Sequence, residues 1–354
     1  MHAIQVVEPT LEGYSGHCHA LVSSFARAAA PAAIDLWSGK GAEGMALGPH
    51  VTIHPFFRRR VRLAQSSRLL RRLVRGPEKI VVTTARRSDL LLLAIAGGGR
   101  VSPNRVFLYF HWFRVTPGKL RFLRTMAARL PEVVILGTTG SVVEVFRQCG
   151  FAHVLLLPYP AQQPARSANA VPFRQLLYAG AARQDKGFRV VVDLVQLLAA
   201  RNEDIPIAVQ ISADHYGKYD AATRDDIARL KALRYPPLKL IAETPSPEDY
   251  AATFPGSICL QPYDRSDFRD RVSGVTLDAL AHACPVIATA GTWTADLAGL
   301  FDAGIALPEP DAESLYDAVR TVRADYARYQ AGAFAAGAAR DRDSWRPLLE
   351  RLLS

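Results

Sequence analysis

Asp270-Arg-Val-Ser-Gly-Val-Thr-Leu-Asp278-Ala-Leu-Ala-His-Ala-Cys-Pro285-Val-Ile-Ala-Thr289 is the most informative stretch of the chain. It reads as loop, helix and strand. Ser273, Gly274, Val275 and Thr276 open a helix whose Leu277, Leu280 and Ala281 share a face. Pro285 cannot continue the helical ladder and stops it, and Val286-Ile287 begins a strand. Upstream, the short apolar run from Ser257 to Leu260, closed by Pro262, suits a buried parallel strand. Strand, loop, helix and strand make the unit of an α/β fold.

The chemistry lies where loop becomes helix. A glycine-bearing turn lets backbone amides approach a ligand closely. The first N–H groups of a helix lack intrahelical acceptors and favour an anion. Asp270 and Asp278 bracket the turn, eight residues apart. Carboxylates repel phosphate but accept hydroxyls, so the pair suits a sugar at one end and a ribose at the other, with a diphosphate between. A plain helix start, with acids placed for the dipole, fits the same spacing.

The stretch resembles the C-terminal motif of the retaining glycosyltransferases of family 4. These have the GT-B fold, two Rossmann-like α/β domains whose parallel sheets face each other across a cleft. The family carries a Glu pair, then a small-residue helix and a Pro-Val-Ile-Ala strand. Here Asp270 and Asp278 stand at the two Glu positions, and Arg271-Val272-Ser273-Gly274 replaces the usual Gly-Phe-Gly. The resemblance implies that Asp270 meets the donor sugar and Asp278 the ribose. Ser273, Gly274, Val275 and Thr276 would hold the donor diphosphate. It further implies a hexosyltransferase that uses a nucleotide-sugar donor, retains configuration and needs no metal or other cofactor.

The chain has 354 residues, 49% hydrophobic, with a net charge of +10. That length and composition suit two domains with sizeable cores, and the charge points to an anionic partner. No apolar run approaches the ~20 residues of a membrane-spanning helix, and no secretory leader is evident. Cys18, Cys149, Cys259 and Cys284 lack metal or redox spacing, which predicts reduced thiols in a cytoplasmic protein. Residues 1–160 are expected to form the acceptor domain. Residues 161–172, rich in Pro, Ser and Ala, read as a linker, and residues 173–335 as the donor domain. Residues 336–354 read as a C-terminal helix, which in GT-B proteins commonly crosses back to the first domain.

In the first domain, Ile4 to Val7 reads as a strand, followed by a loop with Gly13 and Gly16 and a helix from about Cys18. The resemblance puts Gly13, Gly16 and His17 near the donor phosphates or the acceptor; an ordinary strand-to-helix turn would look the same. His111 follows the strand from Val106 to Phe110, at the end where α/β ligand sites form. The family often has a His there, close to the donor sugar, which makes His111 and Asp270 the catalytic candidates.

Residues 58–87 hold eleven basic residues against one acid, Glu78. Arg68, Arg71, Arg72 and Arg75 flank a face of Leu69, Leu70 and Leu73. Arg121 and Arg124 flank Leu120, Leu123, Met126 and Leu130. Amphipathic basic helices of this kind can lie on an anionic bilayer. They predict peripheral association with the inner face of the cell membrane, and a lipid-linked or glycan acceptor in bacterial polysaccharide or glycolipid synthesis. A helix packed on its own domain with a solvated basic face has the same pattern.

The second domain restarts the α/β pattern. After the strand Gln175 to Tyr178 comes a loop with Arg183 and Lys186-Gly187, then a helix. Arg and Lys in a glycine-bearing loop before a helix can clamp a diphosphate, and the family uses a basic pair here. Two other classes stay open: a nucleotide-sugar epimerase on the same fold, and a nucleic-acid-binding protein that uses the arginines. No aromatic residue is interleaved with Arg68 to Arg75, so a nucleic-acid partner is not expected.

Overall fold

A computed structural model describes residues 3–14, 16–97, 101–113, 115–160, 171–212 and 219–354, apart from the side chains of residues 16, 17 and 341–343. The chain divides into two compact units. Unit 1 is Met1–Gln162 with Arg342–Ser354, and unit 2 is Gln163–Asp341. Most of the expected linker lies outside the described residues.

Unit 1 is built on seven strands: β1 (Ile4–Glu8), β2 (Ile34–Gly39), β3 (Val51–Phe57), β4 (Ile80–Val82), β5 (Val106–Phe110), β6 (Val134–Gly137) and β7 (His153–Leu156). They lie in the order β3-β2-β1-β4-β5-β6-β7, all parallel. The central strands β1, β4, β5 and β6 are buried along their whole length, which is why they read as unbroken apolar runs rather than alternating ones. The chain winds outward from β1 to β3, then jumps back to β4. That reversal opens a crevice at the carboxyl ends of β1 and β4.

The helices Arg62–Leu73 and Pro117–Arg129 turn their apolar faces to the core of unit 1. Leu69, Leu70, Leu73, Leu123, Met126 and Ala127 are all buried in the core of unit 1. The amphipathy belongs to helices that cover a parallel sheet, and their apolar faces are not available to a bilayer. Arg68, Arg71, Arg75, Arg121 and Arg124 remain exposed on the opposite faces. Arg72 is exposed too, but its guanidinium stacks 4.4 Å over Trp37, which also stacks on the His54 ring at 4.3 Å.

The C-terminal helix Arg346–Leu353 packs within unit 1. Trp345 anchors it: the indole N–H donates to Ser24 Oγ at 2.9 Å and the ring meets Phe25 edge-on. Among the described residues, no helix is long and apolar enough to cross a membrane.

Unit 2 has six strands: β8 (Gln175–Tyr178), β9 (Ile207–Gln210), β10 (Leu238–Ile241), β11 (Ser257–Gln261), β12 (Val286–Thr289) and β13 (Gly304–Leu307). The order is β10-β9-β8-β11-β12-β13, again all parallel. Here the reversal falls between β8 and β11. The loop after β11 contains the short helix Arg265–Phe268. Asp264 caps it, accepting from the backbone N–H groups of Ser266 and Asp267 at 2.8 and 3.2 Å.

Candidate functional site

The residues singled out in the second half of the sequence converge at the crevice between β8 and β11. Arg183 and Lys186 lie on the loop after β8, and Ser273 caps the helix Gly274–Ala281 that follows the β11 loop. The two loops are tied together. The N–H of Asp264 donates to the carbonyl of Asp185 at 2.9 Å. Gly187 sits so close to Pro262 that an added Cβ would stand 1.9 Å from its carbonyl oxygen. Gly187 also has φ +68°, so the close approach and the backbone conformation both require glycine.

Lys186 and the helix start face one small space. A Cβ on Gly180 would lie 3.2 Å from Lys186 Nζ and 3.2 Å from Val275 Cγ2. Gly180, with φ +90°, keeps that space open. Ser273 Oγ accepts the N–H of Thr276 at 3.3 Å, which leaves the N–H groups of Gly274 and Val275 as those without an intrahelical acceptor. Lys186 is half-buried, and its Nζ stands 5.9 Å from the ring centre of Tyr263. Burial first, and then the positive charges of Arg183 and Arg271, push its pKa down from 10.5 to about 8, against the opposing pull of Asp185. Among the described residues Lys186 forms no ion pair. A cation beside helix-start N–H groups that have no intrahelical acceptor suits an anion.

Arg183 lies beside Lys186 and pairs with the carboxylate next to it. It is exposed, and its guanidinium grips Asp185 through Nε at 2.8 Å and through Nη2. Arg271 lies on the other side of the same carboxylate, at 3.9 Å. The cation set is therefore Arg183, Lys186 and Arg271 around Asp185, and Arg271 went unrecognised in the sequence because it lies about ninety residues further on.

Thr276 is a structural hydroxyl. It is fully buried, donates to Gln261 Oε1 at 2.6 Å and lies 2.9 Å from Thr294 Oγ1, so it is not placed to bind the diphosphate through its side chain. Asp278 is buried on the same helix and accepts from the Tyr250 hydroxyl at 3.2 Å. Burial pushes its pKa up to about 7. Asp270 is half-buried on the loop.

In unit 1, His111 stands at the carboxyl end of β5 as its sequence position implied. Its ring lies edge-on to Tyr109 and Tyr159, with centroids 4.7 and 5.0 Å away, and its carbonyl accepts from Thr138 Oγ1 at 2.7 Å. Gly13 has open space around it, so nothing there demands glycine. Gly16 begins the helix Gly16–Ala29, and the His17 side chain lies outside the described residues. All four cysteines are buried free thiols, and burial pushes Cys18 up to about 11 and Cys259 up to about 12, so neither is a nucleophile at neutral pH.

The architecture matches solved glycosyltransferases. HepE from Anabaena in complex with UDP superposes with a TM-score of 0.68 at 13% identity, over 99% of this chain and 98% of that one. Sucrose-phosphate synthase from Thermosynechococcus elongatus gives 0.66 at 15% identity, over 99% and 97%. A UDP-forming trehalose-phosphate synthase from Burkholderia xenovorans gives 0.66 at 12% identity, over the full length of both chains. No protein-family model and no curated protein matches the chain. The fold is GT-B: two Rossmann-like units with parallel sheets of seven and six strands.

Proposed function

We propose that the chain is a nucleotide-sugar-dependent hexosyltransferase, with the donor held by unit 2 and the acceptor by unit 1. One observation carries this reading: an ammonium of lowered pKa and the start of a helix share the space over Gly180, at the crevice where a parallel α/β sheet binds its ligand. The UDP in the HepE structure, and the UDP-glucose in another structure of HepE, favour a UDP-hexose as donor.

In the proposed reaction the bond between the anomeric carbon and the β-phosphate oxygen breaks. The acceptor oxygen forms the new glycosidic bond, and its proton passes to the leaving diphosphate. Charge grows on that diphosphate as the bond breaks, and Lys186 with the N–H groups of Gly274 and Val275 stabilises it there. This cationic set does the work a metal would otherwise do. Asp278 is the ribose contact. Asp270 and His111 are the candidates for the donor sugar, and retention of configuration follows the resemblance in the 270–289 stretch. The acceptor is a lipid-linked glycan intermediate, with the exposed arginines Arg68, Arg71, Arg75, Arg121 and Arg124 drawing the protein to an anionic membrane surface by charge alone.

The test is to incubate the protein with UDP-, GDP-, ADP- and dTDP-hexoses in EDTA, with and without polyprenyl-diphosphate sugars, and to follow diphosphate release by mass spectrometry. Release of one nucleoside diphosphate by the wild type and not by Lys186→Met is expected. Failure to turn over any donor would count against the assignment.

A further inference from the structure

A second polar cavity lies at the other topological reversal, in unit 1, where β1 and β4 part. It measures about 230 Å³, and Arg59, Arg60, Arg62 and Arg86 line it. Arg59 and Arg60 follow β3, Arg62 begins the helix Arg62–Leu73, and Arg86 precedes the helix Arg87–Ala96. Two separate segments thus bring arginines to one hollow. Among the described residues none of the four forms an ion pair.

Two carboxylates in the lining, Glu8 and Asp89, offset only part of the charge of four arginines. Glu8 is fully buried and already accepts from the N–H and hydroxyl of Thr10 and from the hydroxyls of Thr83 and Thr84. Asp89 accepts the N–H of Arg86 at 2.7 Å, and burial pushes its pKa up to about 6. The arginines, meanwhile, crowd one another. Arg62 is held below its ordinary value by burial first and by the charges of Arg86 and Arg59, against the opposing pull of Asp89 and Glu8. Clustered guanidinium groups that outnumber the carboxylates beside them are stabilised by a multivalent anion that takes several hydrogen bonds at once, and phosphate geometry matches the guanidinium fork.

The rim has a different character. Leu63 lines the cavity and is 62% exposed, and Val61 beside it is 50% exposed. An exposed leucine and valine at the mouth of an arginine pocket suit a ligand with an anionic head and an apolar body.

We propose that this cavity binds the phosphate or diphosphate group of a phosphorylated ligand, with Arg59, Arg60, Arg62 and Arg86 as its counter-ions. None of these residues belongs to the unit 2 site, so the proposal stands whether or not unit 2 binds a donor. Joined to the glycosyl-transfer reading, on which this extension rests, it makes the ligand the acceptor and locates its phosphate.

The experiment uses the full-length chain carrying Lys186→Met, so that the donor site does not report. Inorganic pyrophosphate is titrated into that protein and into the same protein with Arg60→Gln and Arg86→Gln added. Both arginines are exposed, so their replacement leaves the core intact. Each lost charged hydrogen bond weakens binding by about tenfold or more. Expected are saturable binding to the first protein and at least that loss in the second, with Arg60→Lys restoring part of it. Equal affinity in both proteins, or no binding to the first, overturns the proposal. A prenyl phosphate and a hexose phosphate are then compared as competitors of pyrophosphate. Stronger competition by the prenyl compound identifies a lipid source, and by the hexose compound a soluble one; competition by neither overturns the assignment to a phosphorylated ligand.

Discussion

Lys186 has an energetic signature that can be measured without any ligand. Its pKa falls from 10.5 to about 8 because its ammonium is taken from water into the crevice, beside Arg183 and Arg271. Between those two values the unfolded chain holds a proton that the folded protein has given up. Stability therefore rises with pH from about 8 to 10.5, and the full cost of burying the charge is present below about 8. The gap corresponds to about 3 kcal/mol. Lys186→Met keeps most of the aliphatic stem and removes the charge. At pH 7 the variant is expected to exceed the wild type in stability by up to about 3 kcal/mol, a margin that shrinks toward zero near pH 10.5. Urea unfolding of both proteins at pH 7 and pH 10 measures the margin. Titration of the ¹³C-labelled lysine side chain gives the pKa directly. A variant less stable than the wild type at pH 7, together with a Lys186 that titrates at its ordinary value, would refute this reasoning. Saturation with a nucleoside diphosphate should return the pKa toward its usual value, so that binding near pH 9 takes up a proton.

Four further outcomes follow from the site. Asp278→Asn should weaken UDP binding by about tenfold, the worth of one hydrogen bond to a charged group. In the wild type, UDP affinity should rise as pH climbs through about 7, since the carboxylate that accepts ribose hydroxyls must be ionised; calorimetry at pH 6 and pH 8 checks both. Thr276→Val should cost about 1–3 kcal/mol in denaturant unfolding, because it leaves the buried Gln261 Oε1 without its donor, while UDP affinity changes little. Gly187→Ala should cost about 1–3 kcal/mol from backbone strain alone, and its clash with Pro262 should pull the two loops apart and abolish UDP binding.

Much of the fold is legible in the sequence because parallel strands buried on both faces leave plain apolar runs. Val106–Phe110 and Gln175–Tyr178 have the bounds their composition marks out. The helix Arg62–Leu73 was legible as amphipathic, but what its apolar face meets was not. Periodicity reports that a face is apolar, and only the tertiary structure shows the sheet beneath it. The site divides in the same way. Lys186-Gly187 and Ser273-Gly274 carry local signals, a basic residue in a glycine turn and a capped helix start. Arg271 and Tyr263 carry none; they join Lys186 only because β11 lies beside β8 in the sheet. The pocket at Arg59, Arg60, Arg62 and Arg86 was visible only as part of a run of positive charge. Which four of its cations converge is decided by the placement of β3 and of two helix starts.

The central claim is that unit 2 seats a nucleoside diphosphate on Lys186 and the helix start at Gly274. Its most direct measurement is calorimetric titration of UDP, in EDTA, into the wild type and Lys186→Met. The account predicts metal-independent binding in the wild type and a loss of about tenfold or more in the variant. Equal affinity in the two proteins, or binding that appears only when a divalent metal is restored, would contradict it.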